Sequence, residues 1–597
     1  MRHRKLKIAQ IKRKKSGIAY LAISLFYFGL FSILFAVISI DVQAYVSDLK
    51  PRTLPPLPAM GGVNSVITDP TFGSRILRVT DAHTMDCQYP AYQNRDETTP
   101  SSAESQAWNA DSTLFYSDFS GLIIPFKFDP ATFSVSRIGD PNQQFCGLTI
   151  SGIGASEPEF SRVDPNILYG TNATTNIVQY SFLTHQISNV FDVATAVPQI
   201  FPEFSDVSAS ASDRLAVAGS LVTQQWHGSD DWTQVVVWDK ATGQTAVFDL
   251  AQQAIKNFGV TSFHPMGPNA PPLGLVYGSN IHNVRLDATG RYAIISDQTP
   301  CGGIAGGGGT LWDIEAGTVD CLRGGSWTGH KASGYGFNVS GGPGPGDYGP
   351  QVTLTNYATP ASYTNLLPPN PNPPWVGGFI DHMSWNDAQP GGMIPVVGSN
   401  YASSKTVGAS IPAGTGSGEI AAIATDGSNQ VWRYAYSRSF LDNNWYSYPR
   451  GNVSPDGRYY MFNSNWDETL GLNESSQPRV DIFIVELSTA PFSPAPNPPT
   501  TPVVTPSALS QIQVYPNPWR SDKHGGKQIT FAQLVVGGTI KIFTTSGHKV
   551  KEIPVTGTSM LWNLNNDKGD KVASGIYLYL ITDGQGNKAK GKLAVIK

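Results

Sequence analysis

The chain has 597 residues, too many for one hydrophobic core, with a formal net charge of −4 and only 14 % charged residues. Such a balance offers no basic field for nucleic acid, so no nucleic-acid partner is expected, and the surface must be built from Ser, Thr, Asn and Gly. With 60 Gly and 44 Pro the chain is turn-rich yet short of a disordered composition.

The chain opens with the basic stretch "MRHRKLKIAQIKRKK" (1–15) and the apolar run "SGIAYLAISLFYFGLFSILFAVISI" (16–40), then "VQA" ahead of Tyr45. A basic n-region, an apolar h-region and a small-residue site read as a signal peptide cut after Ala44. The run is also long enough to cross a bilayer, so residues 1–44 are a signal peptide or an N-terminal membrane anchor. In both cases the rest is expected to be exported, either secreted or held at the cell surface. Membrane contact is expected only through the uncut segment.

Between residues 63 and 488 helical periodicity is nearly absent. Short alternating strands recur behind tight turns: "AWNADSTLFYSDF" (107–119), "SRVDPNILYGTN" (161–172), "SASASDRLAVAG" (208–219), "VRLDATGRYAIIS" (284–296) and "NVSPDGRYYMFNS" (452–464). Most are followed by a second strand closed by a turn such as "DKATG" (239–243) or "DIEAG" (313–317). Antiparallel units repeating in this way predict a β-propeller of six or seven blades. "FGSRILRVTD" (72–81) has no partner nearby and is expected to pair with the last strands, around 479–487, closing the ring. On "SPDGRYYMF" (454–462) and "SRILRVTD" (74–81) the region resembles TolB-like and oligogalacturonide-lyase-like propellers. That likeness concerns architecture, which hosts many functions.

Residues 489–510 are a Pro/Thr-rich linker. Beyond it, residues 511–597 carry seven predicted short strands separated by Gly, Asn and Asp turns, the pattern of a small Ig-like β-sandwich, so the whole chain is expected to be all-β. "YPNP" (515–518), "IKIFTTSGHKV" (540–550), "WNLNNDKG" (562–569), "SGIYLY" (574–579) and the terminal "GKLAVIK" (591–597) resemble the C-terminal sorting domain of type IX secretion substrates and the FlgD-like Ig-type domain. The resemblance implies that secretion or surface-anchoring machinery is a partner of this domain.

Four cysteines in an exported chain predict disulfides, and the expected pairs are Cys301 with Cys321 and Cys87 with Cys146. No G-x-S-x-G elbow or H-E-x-x-H helix is present. "CGGIAGGGGT" (301–310) has no G-K-[ST] after it and reads as a loop; "NLNNDKGD" (563–570) reads as a hairpin turn, since it lacks the terminal bidentate acid of a calcium loop. When the repeats are superposed, Glu159, Asp206, His282, His330, His382 and Arg450 all fall just before an innermost strand. Glu159, Asp206 and Arg450 are candidate binding groups around the axis, and His282, His330 and His382 are candidate ligands for a divalent metal, Mn or Zn. The lyase-like resemblance implies a histidine-lined manganese site in that region. Two functions follow: a surface or secreted propeller binding a glycan or protein through aromatics such as those in "QQWHGSDDW" (224–232) and "DNNWYSYPR" (442–450), or a metal-dependent, lyase-like enzyme on polysaccharides.

Overall fold

The computed structural model describes residues 44–597 apart from 85–95, 101, 120–121, 140–147, 154–156, 224–230, 275–278, 298–306, 324–331, 344–349, 368–381, 391–393, 401–417, 441–444, 488–512, 525–527, 533, 535–537, 546, 556–558 and 583–587. The chain divides into two compact units, Met1–Ser493 and Pro494–Lys597. The apolar run 16–40 and the linker 489–510 lie outside the described residues. Among those residues no helix is long and apolar enough to cross a membrane.

In the first unit the described residues form seven antiparallel sheets, which follow one another along the chain. Their inner strands begin near Leu114, Glu159, Ser208, Ile281, Ala332, His382 and Gly451. Local chemistry explains the hairpins. In "DKATG" the Asp239 carboxylate accepts the N–H groups of Ala241 (2.9 Å) and Thr242 (3.1 Å), and Gly243 takes φ +70°, where a side chain would be strained. "DIEAG" repeats this: Asp313 accepts from Ala316 at 2.9 Å and Gly317 sits at φ +68°.

Strands such as Gln234–Asp239 bury successive side chains (Val235, Val236 and Val237), so each sheet is apolar on both faces and needs two neighbours. The hydrophobic clusters lie between consecutive sheets. Tyr169 and Ile177 of the second sheet meet Leu215 and Val217 of the third. Val235 and Phe248 of the third meet Ile295 and Trp312 of the fourth. One cluster joins Phe115 and Ile123 of the first sheet to Leu168 of the second and to Tyr459, Met461 and Ile484 of the last. The series therefore closes on itself, which is the packing of a β-propeller.

The closing contact is the one expected. Arg75–Arg78 runs antiparallel to Asp481–Glu486, with Ile76 opposite Val485 and Leu77 opposite Ile484, and Val66–Thr68 adds an outer strand. Across this seam Arg75 binds Glu486 at 2.7 Å and lies over the Phe133 ring at 4.4 Å. The segment from Ala44 to Met60, unforeseen in the sequence, covers the outer edge of the sixth sheet. Val46 exchanges backbone hydrogen bonds with Arg433 (3.0 and 2.9 Å), and Arg433 donates to the carbonyls of Asp48 and Lys50 while pairing with Glu419 at 2.6 Å. Further along, Arg438 donates to the Pro55 carbonyl and Trp466 to that of Pro58.

Among the described residues the second unit contains eight strands where seven were expected, one of the eight being the two-residue Trp519–Arg520. They form a three-stranded sheet (Gln513–Tyr515, Ile529–Ala532, Ser559–Trp562) and a five-stranded sheet. Ile529, Phe531, Trp562, Ile540, Ile542 and Leu593 fill the space between them, the core of a two-sheet β-sandwich. The final strand, Lys588–Ile596, is interior: it pairs antiparallel with Gly575–Thr582 and parallel with Trp519–Arg520. The stretch 563–570 is a turn, with Asn566 Oδ1 accepting the N–H groups of Lys568 and Asp570 at 2.9 Å.

A chain beginning at residue 85 lacks both outer strands of the last sheet and the edge-covering segment. It is expected to lose its single cooperative thermal transition, because apolar faces and an open sheet edge are exposed together. Calorimetry checks this, and a melting profile matching the full ring would show the pairing to be dispensable.

Candidate functional site

Convergence of the inner strands puts their leading residues near one axis, and there the sequence supplies an arginine flanked by buried apolar neighbours. Arg285 lies in the strand Ile281–Leu286 between Val284 and Leu286, and its own side chain is only 5 % exposed. A guanidinium so placed must be paired. It donates to Glu159 Oε1 at 2.8 Å through Nη1 and to Asp206 Oδ2 at 2.8 Å through Nη2, with Glu104 3.8 Å from Nε. Three sheets are tied by this one side chain, since Glu159 belongs to the second and Asp206 leads into the third. Glu159 also accepts the Ala209 N–H at 2.8 Å through Oε2.

The chain fills the space beside this cluster with its own loop. Asp206 accepts the Glu157 N–H at 3.1 Å and the Ser102 hydroxyl at 3.4 Å. Glu157 in turn accepts the Ser102 N–H at 3.1 Å and the Ser105 hydroxyl at 3.3 Å. From the last sheet, Asn452 Nδ2 donates to the carbonyls of Ala103 (2.8 Å) and Ser105 (2.9 Å), and from the sixth, Asn386 Nδ2 donates to Ser105 O at 2.8 Å. Arg162 closes the circuit, donating to Asn386 Oδ1 at 3.3 Å and Ala209 O at 3.0 Å.

Burial and like charge set the protonation of this network. Asp206 is pushed up to about 7, by desolvation first and then by the neighbouring Glu157 carboxylate, with Arg285 opposing. Glu159 is raised, again by burial, with Arg285 and then Arg162 pulling it down. Arg285 itself is raised: burial lowers it, and the surrounding carboxylates, Asp206 foremost, more than compensate.

Of the residues read from the sequence, Glu159 and Asp206 meet at one guanidinium, but that guanidinium is Arg285 and not Arg450. Arg450 is fully buried beside the same loop, its carbonyl accepting the Thr99 hydroxyl at 3.2 Å. His382 is buried at the start of the sixth sheet, opposite Ser399, and His282 sits where the register shifts between Ile281 and Asn283. His330 lies outside the described residues. Among the described residues no group of three or more His, Cys, Asp or Glu side chains is gathered to hold a metal ion, and the expected three-histidine set includes His330, which is not among them. Cys321 is disulfide-bonded, whereas Cys87, Cys146 and Cys301 lie outside the described residues. Trp232, expected as an exposed contact residue, is buried between the third and fourth sheets, its backbone exchanging hydrogen bonds with Ile281 at 2.8 and 3.0 Å; Tyr446 is half exposed. Glu104, Glu157 and Arg285 escaped the sequence reading. The available signal was a charged residue inside an otherwise apolar strand.

No family model matches the chain, and no curated protein matches it. Among solved structures it is similar to the oligogalacturonate lyase of Vibrio parahaemolyticus, with TM-score 0.40 and 11 % identity over 74 % of this chain and 99 % of that one. It is also similar to the RRP9 WD40 repeats, with TM-score 0.36 and 14 % identity over 71 % and 100 %. A third is PorZ, a surface component of the type-IX secretion system of Porphyromonas gingivalis, with TM-score 0.18 and 10 % identity over 90 % and 93 %. Likenesses at these identities carry no activity across.

Arg285→Ala leaves the buried Glu159 and the part-buried Asp206 without their shared cation, and the expected loss is about 3–5 kcal/mol in denaturant unfolding. Asp206 holds its proton more tightly folded than unfolded, so its contribution is fully present below the ordinary 3.8 and is lost as pH rises towards about 7. Asp206→Asn is therefore expected to flatten the fall of stability across that range. Unfolding midpoints measured at several pH values check this, and an unchanged slope would assign the effect to other groups.

Proposed function

We propose that the protein is an exported binding protein in which the ring recognises a glycan or protein partner and the C-terminal sandwich is handled by secretion or surface-anchoring machinery. The observation that carries the binding reading is the charge around Arg285. Four carboxylates (Glu104, Glu157, Glu159 and Asp206) face two guanidiniums (Arg285 and Arg162), and they are engaged with one another and with the loop Ser102–Gln106. Acids and guanidiniums that satisfy one another and the chain's own loop support a framework role for this centre and leave partner recognition to the surface of the ring. Delivery is supported by the last strand, which is built into its sheet on both sides and exposes Lys588, Lys590 and Lys592 beside Ile576 and Leu578 of the partner strand.

The alternative, a metal-dependent polysaccharide lyase-like enzyme at the central face, draws on Asp206, which is 20 % exposed and titrates near 7, as a base must. Elemental analysis of the purified protein, followed by assay on a uronic-acid polysaccharide, separates the two. The binding reading expects neither stoichiometric manganese or zinc nor cleavage.

A chain ending at residue 510 is expected to keep the melting temperature of the ring while failing to reach the cell surface or medium. Fractionation of the producing cells measures this. Normal delivery of the shortened chain would reduce the sandwich to an accessory domain.

A further inference from the structure

The sandwich carries a second surface that the delivery reading does not use. Strand alternation turns Val514, Ile529, Phe531, Met560 and Trp562 inward, so Tyr515, Thr530 and Leu561 stand in one row on the outer face of the three-stranded sheet. Tyr515 is 51 % exposed and Leu561 56 %. With Pro516, Gln528 and His524 they line a cleft of about 570 Å³, a size suited to one or two small rings. His524 sits at the end of the short helix Ser521–His524, and its Nδ1 accepts the Arg520 N–H at 2.9 Å. In the neutral imidazole the proton therefore resides on Nε2, which is a donor.

We infer that this cleft binds a neutral saccharide. An exposed phenol ring beside Pro516, with Leu561 beyond Thr530 in the same row, offers an apolar platform for the C–H face of a pyranose. The imidazole Nε2–H, the Gln528 amide and the Thr530 hydroxyl supply donors and acceptors for its hydroxyls. Among the described residues no carboxylate, lysine or arginine lines the cleft, so the charge complement they offer is an uncharged ligand and not a uronate. The inference is independent of the delivery reading, because the row lies on the sheet opposite the one that holds the final strand.

Affinity electrophoresis of the full exported chain through gels holding glucomannan, xyloglucan or dextran tests this, with polygalacturonate as the charged comparison. Retardation is expected in at least one neutral gel. Tyr515→Ala should weaken it by at least about fivefold, Tyr515→Phe should keep it, and neither should alter thermal unfolding or delivery. The assignment is overturned if no neutral gel retards the protein, if polygalacturonate alone does, or if Tyr515→Ala binds like the parent. Tyr515-dependent capture of a proline-rich peptide in place of the saccharides overturns it equally.

Discussion

A sheet that is apolar on both faces cannot exist alone, and the ring follows from that constraint. Val235, Val236 and Val237 are all buried, so their sheet needs a neighbour on each side, and each neighbour needs another. An open stack would always leave two bare faces. Only a circuit in which Leu77, Ile484 and Tyr459 of the last sheet pack with Phe115 and Ile123 of the first leaves none. Charge is scarce in this chain because so little of each sheet meets water.

The same closure creates the centre. Inner strands drawn to one axis bring their polar backbone ends together, away from solvent, where every donor and acceptor needs a partner. Arg285 and the loop 102–106 meet that demand jointly: the guanidinium collects carboxylates from two other sheets, and the loop carbonyls accept from Asn386 and Asn452. A buried network of this sort contributes little net stability compared with apolar packing, yet removing one member is costly. What it does here is tie the second, third and fourth sheets to one side chain.

Local chemistry was legible in the sequence, and non-local bookkeeping was not. Asp-x-x-x-Gly turns and period-two strands announce themselves within a dozen residues, and even the distant partner of "SRILRVTD" could be named from its lack of a near one. The segment Ala44–Met60, by contrast, pairs at only one bridge, Val46 with Arg433, and otherwise binds through its carbonyls and through scattered side chains, Tyr45, Leu49, Leu57 and Met60, that follow no strand or helix period. Positions indexed on strand starts found Glu159 and Asp206 but passed over Arg285, because its strand begins earlier and its side chain reaches back to them. Trp232 was misplaced because a Trp flanked by Asp, Gly and Ser looks like a loop residue until the neighbouring sheet is known to cover it.

Arg75 and Glu486, which meet across the closing seam, are 411 positions apart in the chain. Bringing such distant segments together is entropically the slowest step available to the fold. The opening strands of the ring thus have no partner to lock onto until nearly the whole ring is available. The amino-terminal segment is in that sense a latch, made first and fastened last.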